Sequence, residues 1–142
     1  MNMNASIPTI LHIEDDGNDR LLTKIAFQKA GLAVNLQCAE NGEKAIAYLS
    51  GSGAYNDREN HPLPNLILLD LRLPRSNGLD FLNWRRQQEH LRELPVVVLS
   101  SSNELHDREE TCRLGANGYF PKPLAIDLLQ KLLAEIYSKW LG

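Results

Sequence analysis

The sequence predicts an α/β fold in which helices cover both faces of one parallel sheet of five strands. Segments typical of strands and of helices alternate five times along the 142 residues. Two strand segments, 66–69 and 96–99, are continuous apolar runs, which indicates strands buried on both faces. Segment 34–39 instead alternates apolar and polar residues, which is typical of a half-exposed strand at a sheet edge.

The first half of the chain contains two strand–helix units. A strand over 8–13 precedes a helix over about 17–30, and the edge strand precedes a helix that Asn41 can cap. The expected buried face of the first helix consists of Leu21, Leu22, Ile25 and Ala26. Segment 50–65 is a polar loop that is long for a compact α/β domain. It is either a partner-binding insertion or, more commonly, a tolerated surface insertion.

The second half contains three further units. The buried strand over 66–70 leads to a third helix, from Asn77 to about Leu91. Pro95 precedes the buried strand over 96–99, and a fourth helix follows over about 104–114. A short strand at 119–120 is followed by the last helix, over about 125–141. The apolar residues of this helix are Leu128, Leu129, Leu132, Leu133, Ile136, Tyr137 and Trp140.

This alternation implies right-handed crossovers, for which the common order of five strands is 2-1-3-4-5, the flavodoxin-like doubly wound order. That order places the polar second strand at an edge, as its pattern requires. We expect residues 1–142 to form a single domain, with an N-terminal arm over 1–7.

Composition excludes several classes of protein. A formal net charge of −3 gives no basic footprint for nucleic acid. The apolar stretches are too short to span a membrane, and the N-terminus lacks the features of a secretory signal. Two cysteines, far apart, suggest neither a disulfide framework nor a metal site, so we expect a cytoplasmic protein with reduced thiols.

Polar residues follow four of the predicted strands. Glu14 and Asp15 follow the first strand, Asp70 ends the third, Ser100 ends the fourth and Lys122 follows the fifth. The carboxyl ends of parallel strands meet at one edge of the sheet, so these groups should line a common crevice. Each has an ordinary explanation when taken alone, such as a helix cap, a loop or a surface lysine. Together they favour a functional site.

The chemistry of this set suits phosphoryl transfer. Carboxylates in a partly dry crevice repel one another, and hard oxygen ligands favour Mg²⁺. With a cation present, a carboxylate can act as a nucleophile toward phosphorus. Lys122 and Ser100 could then contact the oxygens of the transferred group. Asp70, at the end of a buried strand, is the best candidate for the acceptor.

Four motifs, over 10–16, 68–78, 95–100 and 115–123, resemble those of response-regulator receiver domains of two-component systems. The long loop before the third strand and the ending over 137–141 resemble small single-domain regulators of bacterial and cyanobacterial phytochrome kinases. The resemblance implies that Asp70 accepts phosphate from a sensor histidine kinase, with a bacteriophytochrome as one candidate.

The resemblance also assigns the metal ligands. Glu14, Asp15 and Asp70, with the main-chain carbonyl of Arg72, would hold Mg²⁺, and Mn²⁺ could take its place. Glu14 stands where the family more often has Asp. Arg72 stands where shorter or polar residues are frequent in the family, so its side chain should change the rate of dephosphorylation.

The remaining implied roles concern switching. Ser100 would move toward the phosphate, Tyr119 would turn inward behind it, and Lys122 would pair with the phosphoryl group. A cis bond between Lys122 and Pro123 would aim the ammonium group into the crevice. The broad apolar surface of the last helix suggests a homodimer through helix four, strand five and helix five.

Two other functions stay open from the sequence. One is a receiver-fold interaction module that works without phosphorylation. The other is an enzyme, such as a phosphatase with an aspartyl nucleophile, or a flavin protein on the same fold. The enzyme is disfavoured because the first strand ends in Glu14-Asp15-Asp16, which is neither Asp-x-Asp nor a phosphate-binding Gly-rich loop. We therefore expect a phosphoacceptor that is not an enzyme, and no binding to nucleic acid or membrane.

Overall fold

The computed structural model describes residues 7–71, 78–100 and 105–142, with the side chains of 105 and 106 excepted. It contains one parallel sheet in the order β2-β1-β3-β4-β5, which confirms the predicted topology. The strands are β1 (Thr9–Ile13), β2 (Asn35–Ala39), β3 (Leu66–Asp70), β4 (Val96–Ser100) and β5 (Gly118–Pro121). The α-helices are α1 (Gly17–Lys29), α2 (Gly42–Ser50), α3 (Gly78–Arg86), α4 (Leu105–Arg113) and α5 (Ile126–Trp140).

The three central strands are buried along their whole length. The continuous apolar runs predicted this for β3 and β4. Their side chains alternate between two core clusters, one on each face of the sheet. Leu69 belongs to the cluster that packs under α2 and α3, whereas Leu68 belongs to the one under α1 and α5. Because both faces are covered, the buried carboxylates Glu14 and Asp70 lie at the strand ends.

The buried face of helix α1 overlaps only partly with the predicted one. Ala26 is buried and Ile25 is half-buried, as predicted, but Leu21 and Leu22 are 56% and 43% exposed, and Thr23 and Phe27 are buried instead. Residues 23, 26 and 27 have the i, i+3, i+4 spacing of one helical face, and that face lies on the sheet. The leucines lie beside this stripe and leave apolar surface facing outward.

Helix α3 is shorter than predicted because the chain tightens after Arg86. Gln87 and Gln88 donate to carbonyls three residues back, and a short 3-10 helix follows at Glu89–Leu91. The buried guanidinium of Arg85 donates to the carbonyl oxygens of Arg92, Leu94 and Gly115. These bonds tie the turn after α3 to the end of α4.

Segment 50–65 is packed against the end of α2. Arg58 donates to the carbonyls of Tyr48 and Leu49 in the last turn of that helix, and also to His61. The rings of Tyr48, Tyr55 and His61 lie 5.2–5.8 Å apart, and the Tyr48 hydroxyl donates to Pro62. The segment is therefore held in place by its own side chains.

Across residues 7–71, 78–100 and 105–142, no helix combines the length and apolar character that crossing a membrane requires.

Gly78 sits where α3 begins directly against the end of β3. Its amide donates to the Leu71 carbonyl at 2.8 Å, and an added Cβ would lie 2.9 Å from the Leu71 Cα. We predict that Gly78→Ala lowers the free energy of unfolding by about 1–3 kcal/mol, because the backbone must shift. Urea denaturation measures this change.

Gly17→Ala is the matched control, because its Cβ would lie 3.5 Å from the terminal nitrogen of Arg20, an ordinary contact. Its free energy of unfolding should stay within about 1 kcal/mol of wild type. Equal destabilisation of the two variants would contradict the close approach at Gly78.

Candidate functional site

The ends of β1 and β3 bring three carboxylates together. One oxygen each from Glu14, Asp15 and Asp70 lies within 4.8 Å of the others, and no other such group of acidic, His or Cys side chains occurs in the part of the chain described. Glu14 and Asp70 are buried, whereas Asp15 is exposed. The sequence prediction that these residues share one crevice is confirmed as geometry.

Lys122, just after β5, extends into the same crevice. Its Nζ lies 2.8 Å from Glu14 Oε1, 3.1 Å from Asp19 Oδ2 and 3.3 Å from Asp70 Oδ2. The backbone amide of Lys122 donates to the Ser100 carbonyl at 2.7 Å, which continues the pairing of β4 with β5. The strand pairing thus fixes the start of the side chain, and the carboxylates fix its end.

The expected cis bond before Pro123 is wrong, because the Lys122–Pro123 bond is trans. The trans isomer is favoured before proline by about 0.5–1 kcal/mol. The long side chain of Lys122 reaches the carboxylates from the trans backbone, so the ammonium group enters the crevice without the isomer that we expected.

Ser100 ends β4 and pairs with Pro121, next to Lys122, whereas Tyr119 lies further back on β5. Ser100 is fully buried, and Tyr119 pairs with Val98 in the sheet. The Tyr119 ring is partly buried, and the Arg108 guanidinium lies 5.5 Å from its centre. Arg72, the fourth expected metal ligand, lies outside the described residues.

The electrostatics of the crevice are those of crowded acids around one ammonium group. Burial and a hydrogen bond with Asp70 raise the pKa of Glu14 above its ordinary value, although Lys122 opposes the shift. Burial lowers the pKa of Lys122, but hydrogen bonding to Glu14 and the charge of Asp70 outweigh it and hold the pKa above its usual range. Lys122 is therefore a permanent cation, and three carboxyl groups share it as a hydrogen-bond donor.

Sequence reasoning missed three residues around the site. Asp19 in the first turn of α1 pairs with Lys122, as described above. Arg20 Nη1 donates to the carbonyls of Glu14 and Asp15, at 2.7 and 3.0 Å, and so fixes the loop that carries them. His12 on β1 is buried beneath the site. The i, i+5 spacing of Glu14 and Asp19 across a helix start could have indicated the first of these.

His12 lines a cavity of about 30 Å³ together with Glu14, Asp19 and Lys122. Burial, and then the positive charge of Lys122, lower the pKa of His12 to about 4. Its Nδ1 atom is buried and has no hydrogen-bond partner within the described part of the chain. The imidazole is consequently neutral near pH 7 and adds no positive charge to the site.

The carboxylate cluster fits a hard divalent cation. All of its donors are oxygens, and they converge from two strand ends. Burial and the contact with Asp70 raise the pKa of Glu14, and a bound cation would favour its ionised form. The residues present would therefore suit Mg²⁺ or Mn²⁺.

The sequence profile of the response regulator receiver domain matches residues 10–134. The chain belongs to the response regulator receiver family. A relative in Methanothrix harundinacea, the probable methanogenesis regulatory protein FilR2, is 33% identical over 94% of this chain and 83% of its own. The response regulator Rcp1 of Synechocystis is 36% identical over 93% of this chain and 88% of its own.

Solved structures of receivers superimpose on nearly the whole chain. The response regulator RPA3017, in red light signaling of R. palustris, has a TM-score of 0.91 at 31% identity, covering 96% of this chain and 95% of its own. The phosphorylated cyanobacterial phytochrome response regulator RcpA has a TM-score of 0.87 at 30% identity, covering 96% of each chain. This receiver is therefore similar over nearly its whole length to solved response regulators of red light signaling and of a cyanobacterial phytochrome.

His12 leads to a pH-dependent prediction for this receiver. The folded protein keeps His12 neutral down to about pH 4, whereas an unfolded histidine takes up a proton near pH 6.5. The unfolded state thus binds more protons between these values, and the free energy of unfolding should fall as pH drops from 6.5 toward 4. Relative to His12→Gln, we expect a loss of about 2–3 kcal/mol by pH 4.5, measured by urea denaturation in chelator.

His90→Gln serves as the control, because His90 is an exposed histidine in the short helix after α3. It should follow the wild-type pH dependence. Parallel curves for His12→Gln and wild type would show that His12 does not carry this proton linkage.

Proposed function

We propose that Asp70 accepts a phosphoryl group from a histidine kinase and that the resulting aspartyl phosphate changes partner binding. The observation that carries the proposal is the position of the Asp70 carboxylate, grouped with Glu14 and Asp15 and 3.3 Å from the ammonium group of Lys122. An Asp70 oxygen would attack phosphorus, while the bond from phosphorus to the imidazole nitrogen of the kinase breaks. The imidazole leaves with the electron pair of that bond.

Glu14, Asp15 and Asp70 would hold a divalent cation in this reaction, with the Arg72 main-chain carbonyl as a further ligand. A bound Mg²⁺ neutralises charge on the carboxylates and on the transferring phosphoryl oxygens. The structure of the relative Rcp1 with bound Mn²⁺ supports this assignment and the expected exchange of the two ions.

Lys122 and Ser100 would complete the site. The ammonium group of Lys122 already lies beside Asp70, where it can contact a phosphoryl oxygen without a long movement. The Ser100 side chain ends β4 next to this position and would contact another phosphoryl oxygen. Tyr119, on the neighbouring strand, would then move when Ser100 moves. The two movements would alter the face formed by α4, β5 and α5.

The upstream partner that we propose is a sensor kinase of the phytochrome type, in the cytoplasm. Support comes from two similar solved structures, a cyanobacterial phytochrome response regulator and a response regulator in red light signaling. The cytoplasm is proposed because two cysteines, far apart in the sequence, suggest no disulfide framework. We further propose that residues 1–142 form one receiver domain that assists its own phosphorylation and dephosphorylation.

We predict that incubation with acetyl phosphate and Mg²⁺ adds one phosphoryl group to the wild-type protein, measured by intact mass. Asp70→Asn should show no gain, because the acceptor oxygen is lost, and a chelator should abolish the gain in wild type. Asp57→Asn is the matched control, because Asp57 is an exposed acid in segment 50–65, and it should be labelled like wild type.

The absence of an adduct under conditions that label another receiver would count against the proposal. The protein would then be better described as a receiver-fold interaction module that works without phosphorylation. Labelling of Asp70→Asn to the wild-type extent would instead place the phosphate on another residue.

We also propose a homodimer through α4, β5 and α5. Leu128 on α5 is 59% exposed, and Leu129, Leu133 and Ile136 already supply the buried face of that helix. The remaining apolar surface is available to a second copy.

Sedimentation velocity is expected to detect a dimer whose association Leu128→Glu weakens by at least about tenfold, because a charge would enter an apolar contact. Leu21→Glu is the control, since Leu21 is equally exposed on α1, away from this face. A monomeric wild type, or equal weakening by both variants, would contradict the interface.

A further inference from the structure

Asp19 is the carboxylate of the site that the proposed chemistry does not use. It lies in the first turn of α1, and its Oδ2 is 3.1 Å from Lys122 Nζ. We propose that Asp19 is a positioning residue that holds the ammonium group of Lys122 toward the phosphoryl position at Asp70. This inference rests on the phosphoacceptor function proposed above, and it adds a residue to that site.

This role is supported first by the ammonium group of Lys122, which has a carboxylate partner for each of its N–H donors. An ammonium group has three N–H donors, and here three carboxylates lie within 3.3 Å of Nζ. Two of them, Glu14 and Asp70, belong to the cluster that suits a metal ion. Among the described residues, that cluster does not include Asp19.

Phosphorylation would change two of these three contacts. An oxygen of Asp70 would become part of the aspartyl phosphate, and Glu14 would serve as a ligand of the cation. Asp19 has neither role, so its ion pair with Lys122 can persist before and after phosphoryl transfer. The pair would keep the ammonium group in place while its other contacts are exchanged.

The backbone around Asp19 is fixed well enough for this role. The Asp16 side chain caps α1 and accepts from the amides of Asn18 and Asp19, at 2.8 and 3.4 Å. Arg20 holds the preceding loop through the carbonyls of Glu14 and Asp15. The Asp19 carboxylate therefore approaches Lys122 from a rigid helix start.

The negative charge of Asp19 should also slow phosphorylation, and the experiment must separate this effect from that of the ion pair with Lys122. Its negative charge also repels an incoming phosphate, so removing the charge should by itself favour phosphorylation. Asp16→Asn removes the same charge from the same helix turn, and asparagine is an equally good N-cap. The comparison of the two asparagine variants therefore isolates the ion pair with Lys122.

The experiment measures the initial rate of phosphorylation by acetyl phosphate in Mg²⁺, followed by intact mass. We expect Asp19→Asn to react about fivefold more slowly than Asp16→Asn, as loss of a partly exposed ion pair predicts. Asp19→Glu, which keeps the charge on a longer side chain, should recover most of the rate. A purely structural role for Asp19 would not give this rescue by charge.

The same comparison in a Lys122→Ala background tests whether Asp19 acts through Lys122. Without Lys122, adding Asp19→Asn should change the phosphorylation rate no more than adding Asp16→Asn does, because the ion pair is already absent. Asp19 is about one-third exposed, so its substitution leaves no buried void. Urea denaturation of each variant verifies that it is folded.

Three results would overturn the inference. Asp19→Asn could react as fast as Asp16→Asn or faster. Asp19 would then either compete with the phosphoryl group for the ammonium group of Lys122 or only repel the phosphate through its charge. The slower rate could persist without Lys122, which would place the effect elsewhere. If wild type itself gains no phosphoryl group, the proposed function fails and this inference fails with it. In the first two cases the labelled wild type leaves the phosphoacceptor role intact.

Discussion

Repulsion among the carboxylates at one sheet edge is the constraint on which the arrangement of this receiver depends. Glu14, Asp19 and Asp70 come from different elements, yet all lie within 3.3 Å of the Lys122 ammonium group. Without that cation, burial of Glu14 and Asp70 would leave acidic groups with little to offset their desolvation. The ion cluster therefore links β1, α1, β3 and β5 at the point where the proposed chemistry occurs.

The sequence predicted the parts of this structure that depend on hydrophobic pattern. Continuous apolar runs at 66–69 and 96–99 identified central strands, and alternation at 34–39 identified an edge. Because strand ends of a parallel sheet meet at one edge, the same reasoning brought Asp70 and Lys122 together across 52 positions. These inferences succeed because the burial of a strand and the direction of its end follow from its own residues and from topology.

What the sequence did not predict depends on contacts between elements. Leu21 and Leu22 are exposed because the face of α1 that lies against the sheet is formed by Thr23, Ala26 and Phe27. From the sequence, Arg85 would be expected at the surface of an amphipathic helix. Its guanidinium is instead buried and donates to three carbonyl oxygens. From the sequence, Asp19 is an ordinary acidic residue at a helix start. Its proposed role depends on the Lys122 side chain, which reaches its carboxylate from the end of β5.

The same cluster explains how a small chemical event could bias the whole face of the domain. Lys122 follows β5, and its amide is bonded to Ser100 at the end of β4, so exchange of its carboxylate partners acts directly on that strand pair. Tyr119 lies on β5 beneath the Arg108 guanidinium of α4. A ligand can shift a conformational equilibrium only by binding the two states unequally. Phosphate at Asp70 would bind the two states unequally through Lys122. It would replace one anionic partner of the ammonium group, whereas Asp19 would remain as another partner.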